Sequence, residues 1–268
     1  MDNIGFVYCT CDKYDDVWNI FFKYLTRFWP EMNYPIYLCT EQKEYSYGEL
    51  DIRCPLSSIH KDFSSWSYRL ITLLEMMPYE YVIFMLDDFV LTQPVQHSVV
   101  KNVISYIKSD PMIGYICLHQ ELTTNSNDER KKNAERCDNP HLHRCLKGMP
   151  YRITTQAGIW RKSYLLKLLK KHENAWQFEV RGNKRANMFY NNYKIFDVNE
   201  PIVEYPSGGI IWRGKFQNAY KELFPYEDIS DIICKRGTIT KSEMKNIGKH
   251  KSLTYRDYWN FILSFLPF

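Results

Sequence analysis

Several things are missing from this 268-residue sequence, and each absence narrows the reading. No apolar run is long enough to cross a bilayer, so a membrane-spanning helix is not expected. The opening Met1-Asp2-Asn3 has no basic segment, and the apolar residues after it are interrupted by Cys11-Asp12-Lys13; the expectation is therefore a cytoplasmic protein without a secretion signal. A net charge of +4 is too small to argue for nucleic acid, though it suits an anionic ligand or an acidic membrane surface. There is no glycine-rich phosphate loop, since Gly208-Gly209 alone is too short for one. His119, His141 and His143 form no base-and-nucleophile pattern, and no internal repeat is visible. The eight cysteines are scattered, which makes reduced thiols the expectation. One segment, 137-CDNPHLHRC-145, offers two Cys and two His, but its spacing matches none of the usual structural zinc patterns and reads as a polar loop.

What is present is an ordinary globular balance, 45% hydrophobic and 25% charged, with an aromatic share of 16%. Such a chain can bury a full α/β core. Most of the aromatics are expected inside, although aromatic rings also suit sugar faces and membrane interfaces. The segments 4-IGFVYCT-10, 35-PIYLCT-40 and 81-YVIFML-86 read as buried strands. Between them, 17-VWNIFFKYLTRFW-29 and 64-SSWSYRLITLLEMM-77 carry apolar residues at helical spacing, and the serines of the second can cap it. Strand, helix, strand, helix, strand predicts a mostly parallel central sheet flanked by helices.

Further along, 95-VQHSVVKNVISYIKSD-110 reads as a helix, and 113-IGYICL-118 and 193-YKIFDV-198 read as strands. Residues 121–143 read as a polar surface loop. In 152-RITTQAGIWRKSYLLKLLKK-171 a strand or turn feeds a helix, and 174-NAWQFEVRGNKRANMF-189 reads as a short helix and a basic loop. The glycines of 206-PSGGIIWRGK-215 mark a turn where backbone can approach a ligand closely.

The unusual feature is 81-YVIFMLDDFVL-91, in which two adjacent aspartates interrupt a hydrophobic run. Two carboxylates in apolar surroundings repel and desolvate each other, and persist only near water, donors or a cation. Ligands of open α/β sheets bind beyond the carboxyl ends of the strands, which is where Asp87 and Asp88 fall. If the chain stays extended, the two point to opposite sides. One can accept from a sugar or ribose hydroxyl, and the other can hold a hard divalent cation. The alternative is a turn in which one aspartate caps the next helix.

Taken in order, the strand ending at Thr10 with Asp12 nearby, the helix opening Trp66-Ser67-Tyr68-Arg69 and the strand ending Leu86-Asp87-Asp88-Phe89 resemble a bacterial glycosyltransferase of the GT-A type. The segments 155-TQAGIWRKSYLLKLL-169 and 173-ENAWQFE-179 are similar to the acceptor-side half of enzymes that build capsule and lipopolysaccharide. The resemblance covers most of residues 1–215 and implies a GT-A-like, Rossmann-like catalytic domain there, followed by a helical extension over 216–268. It implies a nucleotide-sugar donor, expected to be UDP-linked, and a glycan or lipid-linked acceptor.

On the donor side, the resemblance places Thr10 and Asp12 near the nucleoside beside Trp66, and Arg69 against phosphate or aspartate. It gives Asp87 and Asp88 the acidic motif for ribose and metal, and turns Gln156 toward the donor sugar. The usual motif is Asp-any-Asp, whereas here its first position is Leu86. Either Mn²⁺ or Mg²⁺ at Asp88, or an arginine or lysine, would then stabilise the leaving diphosphate. Arg213 and Lys215 could close over that diphosphate and exclude water; as plain loop cations they would simply be solvated. For an inverting transfer the base would be Glu179, with Glu173 as second choice and Trp176 stacking on a sugar. The competing reading of Glu179 is a helix-end carboxylate paired with Arg181 or Arg185.

The last segment, 253-LTYRDYWNFILSFLPF-268, is apolar, aromatic and flanked by basic residues. It suits peripheral contact with the inner face of the cytoplasmic membrane, or docking back onto the core, which is the commoner fate of a terminal apolar helix. Two rivals remain open: a non-catalytic carbohydrate- or nucleotide-binding module, and a metal-dependent phosphoesterase, which would require a denser Asp and His cluster near Asp87.

Overall fold

A computed structural model describes residues 3–59, 62–119 and 132–247. Buried, continuously apolar segments become the centre of a nine-stranded sheet with helices on both faces. Strands β1 (Ile4–Cys9), β2 (Ile36–Leu38), β3 (Ile52–Arg53) and β4 (Tyr81–Leu86) pair in parallel in the order β3-β2-β1-β4. Helices α1 (Asp15–Phe28) and α2 (Trp66–Met76) supply the crossovers. After α3 (His97–Ser109) come β5 (Ile113–Cys117), β6 (Ala134–Arg136), β7 (Leu142–Cys145) and β8 (Gly158–Arg161). Then follow α4 (Lys162–Leu168), α5 (Ala175–Met188) and β9 (Lys194–Val198). The full order is β3-β2-β1-β4-β8-β5-β9-β7-β6. Strands β8 and β7 run against the others, so the sheet is mixed, with most strands in one direction.

Side-chain alternation sorts the core into two layers. Ile4, Phe6 and Tyr8 of β1 and Tyr81, Ile83 and Met85 of β4 face α1 and α3. Val7 and Cys9, with Val82 and Phe84, face α2, α4 and α5. Helix α2 starts as its serines predict: Tyr68 N donates to Ser65 Oγ at 3.0 Å. All eight cysteines are free thiols. Among the described residues no helix is long and apolar enough to cross a membrane.

Three expectations need correction. Of the polar loop expected over 121–143, residues 121–131 lie outside the described residues, and the rest carries the antiparallel β6–β7 hairpin, whose strands are too short to give a periodic signal. The short helix with a basic loop expected over 174–189 is one 14-residue helix, α5, with a reciprocal Asn174–Gln177 capping box. Its Arg181 and Arg185 are buried rather than solvated. The expected boundary at 215 falls inside a hairpin, β10 (Ile211–Trp212) with β11 (Lys215–Gln217), which β12 (Thr238–Ile239) extends into a second small sheet. The chain beyond it packs back on α1 through α6 (Tyr226–Arg236): Arg236 makes a bidentate pair with Asp16, and Lys23 and Tyr24 both bond Asp228. A last helix, α7 (Lys241–Ile247), follows. The aromatic tail 253–268 lies outside the described residues.

Glu173, expected as an acceptor-side residue, is completely buried. Both its oxygens bond Arg185, at 2.9 and 2.5 Å, and Arg181 lies 3.8 Å away. Its carbonyl accepts from Ser67 N at 3.0 Å, tying the start of α2 to the start of α5. Removing one partner of such a pair strands a buried charge. Glu173→Ala is accordingly expected to lose about 3–5 kcal/mol in urea unfolding; a loss below about 1 kcal/mol would mean that the pair does not hold these helices.

Candidate functional site

Beyond the carboxyl ends of β1 and β4 a cleft of about 600 Å³ opens between three walls. The floor is Cys9, Thr10 and Cys11 with Leu86, Asp87, Asp88 and Phe89. One side is Trp66 and Arg69 of α2 with Trp176 and Glu179 of α5. The other is the β10–β11 hairpin and the loop before it, with Thr155 and Gln156 at the back.

Of the expected turn the aspartates make the bend but not the helix cap, since α3 has Gln96 at its N-cap. They form a turn, with Phe89 N donating to Leu86 O at 3.3 Å, and they also line the cleft. Asp87 follows the alternation of β4 toward α1, where its Oδ2 accepts from Thr10 Oγ1 at 2.8 Å. Trp18 Nε1 in turn donates to Thr10 Oγ1 at 2.7 Å, so a buried relay fixes this carboxylate. Asp88 sits under the hairpin loop, and its carbonyl takes Ile210 N at 2.9 Å. Gly209 is needed there twice over: its φ is +76°, and a Cβ would lie 2.2 Å from Asp88 Oδ2.

Burial raises Asp87 to about 7. Burial, then the neighbouring Asp87 charge, pushes Asp88 well above the ordinary carboxylate range. Among the described residues neither aspartate forms an ion pair; Arg236 and Arg69 act on Asp87 only at longer range. Two adjacent buried oxygen donors without a contacting cation are a donor set that fits a hard divalent ion.

The other expected residues divide. Thr10, Trp66, Arg69, Gln156, Trp176, Glu179 and Arg213 all line the cleft. Arg69 is largely committed to holding the strand ends: it donates to Thr10 O and Cys39 O at 2.9 Å each and pairs with Glu41. Asp12 stays out of the cleft, its carboxylate accepting from the backbone of Glu41, Gln42 and Lys43 as a loop cap. Lys215 is exposed on β11 and does not line the cleft. Arg213 sits at the hairpin tip with φ 49°, followed by Gly214 at 83°, the two left-handed positions of a type I′ turn. Glu179 lies one turn beyond the exposed Trp176, and its Oε1 accepts from Thr155 N and Oγ1 at 2.7 and 2.8 Å. The competing reading, a pair with Arg181 or Arg185, is not what is seen: both arginines are buried and pair with Glu173.

Sequence reasoning missed Trp18, Tyr14, Thr155 and Tyr205. Tyr14 lines the cleft with Arg236 stacked 4.2 Å over its ring. Tyr205 donates to Gln156 Oε1 at 2.7 Å and accepts from Ala157 N, while its ring is sandwiched between Phe89 and His119. Only Thr155 carried a local signal, as a hydroxyl beside Gln156 at a strand entrance.

Raised carboxylates give a signed pH effect. The folded state holds protons that the unfolded chain releases, so this contribution is lost as pH rises from the ordinary carboxylate value through about 7. Asp88→Asn should therefore raise Tm at about pH 8, by roughly 2–4 °C for each kcal/mol relieved, and the gain should shrink toward about pH 5. Calorimetry showing equal shifts at both pH values would contradict the burial argument.

In comparisons with known proteins, no family model matches this sequence and no curated protein matches it.

Proposed function

We propose that the chain is a GT-A-like glycosyltransferase that moves a sugar from a nucleoside diphosphate to a glycan or lipid-linked glycan acceptor. The observation that carries the reading is the buried Asp87–Asp88 pair, opening from the end of a parallel strand into a cleft whose opposite wall holds Glu179 and Trp176. Two carboxylates suited to a cation and a third suited to a base thus share one cavity. Among the described residues that line it there is no histidine, which disfavours the phosphoesterase alternative.

In this reading the diphosphate lies over the floor, between Asp87–Asp88 and the hairpin carrying Arg213. Mn²⁺ or Mg²⁺ would be held by Asp87 and Asp88 and would supply positive charge to the departing diphosphate. Tyr14 and Arg69 border the nucleoside end, and Gln156, oriented by Tyr205, faces the donor sugar. Trp176 offers an exposed face for an acceptor sugar. Glu179, oriented by Thr155, takes the acceptor hydroxyl proton as that oxygen bonds to the anomeric carbon. The carbon–oxygen bond to phosphate breaks, and its electron pair leaves with the nucleoside diphosphate. Attack from the face opposite the leaving group inverts the anomeric centre.

Thermal shift against a panel of nucleoside diphosphates, with and without Mn²⁺, tests the donor site. At least one, expected to be UDP, should raise Tm, and Asp88→Asn should remove the Mn²⁺-dependent part. Stabilisation by none of them would sink the reading. Once a donor is in hand, Glu179→Gln should lower kcat by about 10²–10⁴ with nucleotide binding unchanged; full turnover in that variant would remove Glu179 from the role.

A further inference from the structure

A second cluster of reactive side chains lies on the sheet, away from the cleft. His143 and Cys145 are two apart on β7 and so share a face. Asp197 of β9 is the register partner of His143. One donor atom from each lies within 4.8 Å of the others. Cys145 and Asp197 are buried, and His143 is half-buried. We propose that His143, Cys145 and Asp197 bind a zinc ion that clasps the β6–β7 edge of the sheet to β9.

The chemistry of the donors favours zinc over the harder ions suited to Asp87 and Asp88. One nitrogen, one sulfur and one oxygen form a mixed set for a borderline-soft metal, whereas Mg²⁺ and Mn²⁺ prefer oxygen alone. Tetrahedral bonds of about 2.0–2.3 Å separate ligand atoms by about 3.3–3.8 Å. The separations, all within 4.8 Å, exceed that by about 1 Å at most, within reach of small side-chain rotations.

The surroundings are arranged as outer ligands would be. His143 Nδ1 lies 3.0 Å from Asn199 Oδ1. Asn199 Nδ2 donates to Pro140 O and Leu142 O, so its oxygen is the atom turned to the ring. His143 therefore carries its proton on Nδ1 and keeps the Nε2 lone pair for a metal. Asp197 Oδ1 accepts from Val198 N at 2.9 Å, which orients the carboxylate. Arg152 donates Nε to Cys145 O at 3.0 Å, which fixes the backbone that carries the thiol. Among the described residues no fourth protein ligand joins the cluster, so water would complete the four positions of a zinc ion.

The site is linked to the cleft. Arg152 also bonds Asn187 of α5 and Tyr193 O, and Thr154 bonds Tyr115 on β5. The next two residues are Thr155, which holds Glu179, and Gln156. A zinc here would steady the segment from which the cleft's back wall is built. The inference stands independently of what the cleft binds.

The test uses the full chain, stripped with a chelator and titrated with Zn²⁺, or with Co²⁺ as a spectroscopic probe. A rise in Tm and a thiolate-to-cobalt charge-transfer band that saturates at one Co²⁺ per chain are expected. His143→Ala and Asp197→Asn, which circular dichroism should find folded, lose the band; Asn199→Ala weakens binding about 10–100-fold. Asp88→Asn keeps all of it, which separates this site from the cleft. Absence of the band, an unchanged band in His143→Ala, or loss of the band in Asp88→Asn would each overturn the proposal.

Discussion

The cleft depends on one costly contact, two adjacent carboxylates held in the protein interior at the end of a central strand. Nothing in the hydrophobic logic of β4 calls for them, and burial opposes their charge. Their position is nevertheless over-determined. Thr10 and, through it, Trp18 grip Asp87 from the end of β1 and from α1. The hairpin loop lies so close to Asp88 that only glycine fits at 209. The same loop is held by Gln217, whose Nε2 donates to Gly209 O at 2.7 Å. Floor and hairpin wall are thus built around the pair as one rigid unit.

That unit reaches the far wall through Phe89, the residue after the pair. Its ring stacks on Tyr205 at 4.2 Å and 10°, and Tyr205 is stacked in turn on His119. With its ring clamped on both faces, the Tyr205 hydroxyl holds Gln156 and the Ala157 amide. Position is therefore transmitted from the acidic turn to the back of the cleft by packed aromatic groups and two hydrogen bonds. Such a route has few soft torsions.

The central strands and first three helices were legible because apolar period and capping act locally: Ser65 caps α2 where the serines indicate, and 81-YVIFML-86 is a buried strand. Much of the cleft was legible too, since residues at strand ends converge whatever the details of the loops. The full length of α5 was not, because its buried face is Phe178, Arg181, Gly182, Arg185 and Ala186. A hydrophobic pattern cannot register arginines as core, and their partner Glu173 lies outside the helix. Asp12 and Arg69 show the converse limit. Both lie near the strand ends, as expected, yet backbone groups claim most of their hydrogen bonds. The β6–β7 hairpin was hidden because its pairing is decided by β9, some fifty residues away.

The two walls of the cleft solve the problem of buried charge in opposite ways. On the α5 side Glu173 is sealed from water but faces Arg185 and Arg181, so its charge is neutralised within the protein and the result is structural. On the floor Asp87 and Asp88 are also buried, but what they receive is a hydroxyl and backbone groups, with no contacting cation among the described residues. A protein selected only for stability would have supplied an arginine there, as it did beside Glu173. Leaving the floor uncompensated makes sense if the balancing charge arrives from outside, and the cleft opens directly above it.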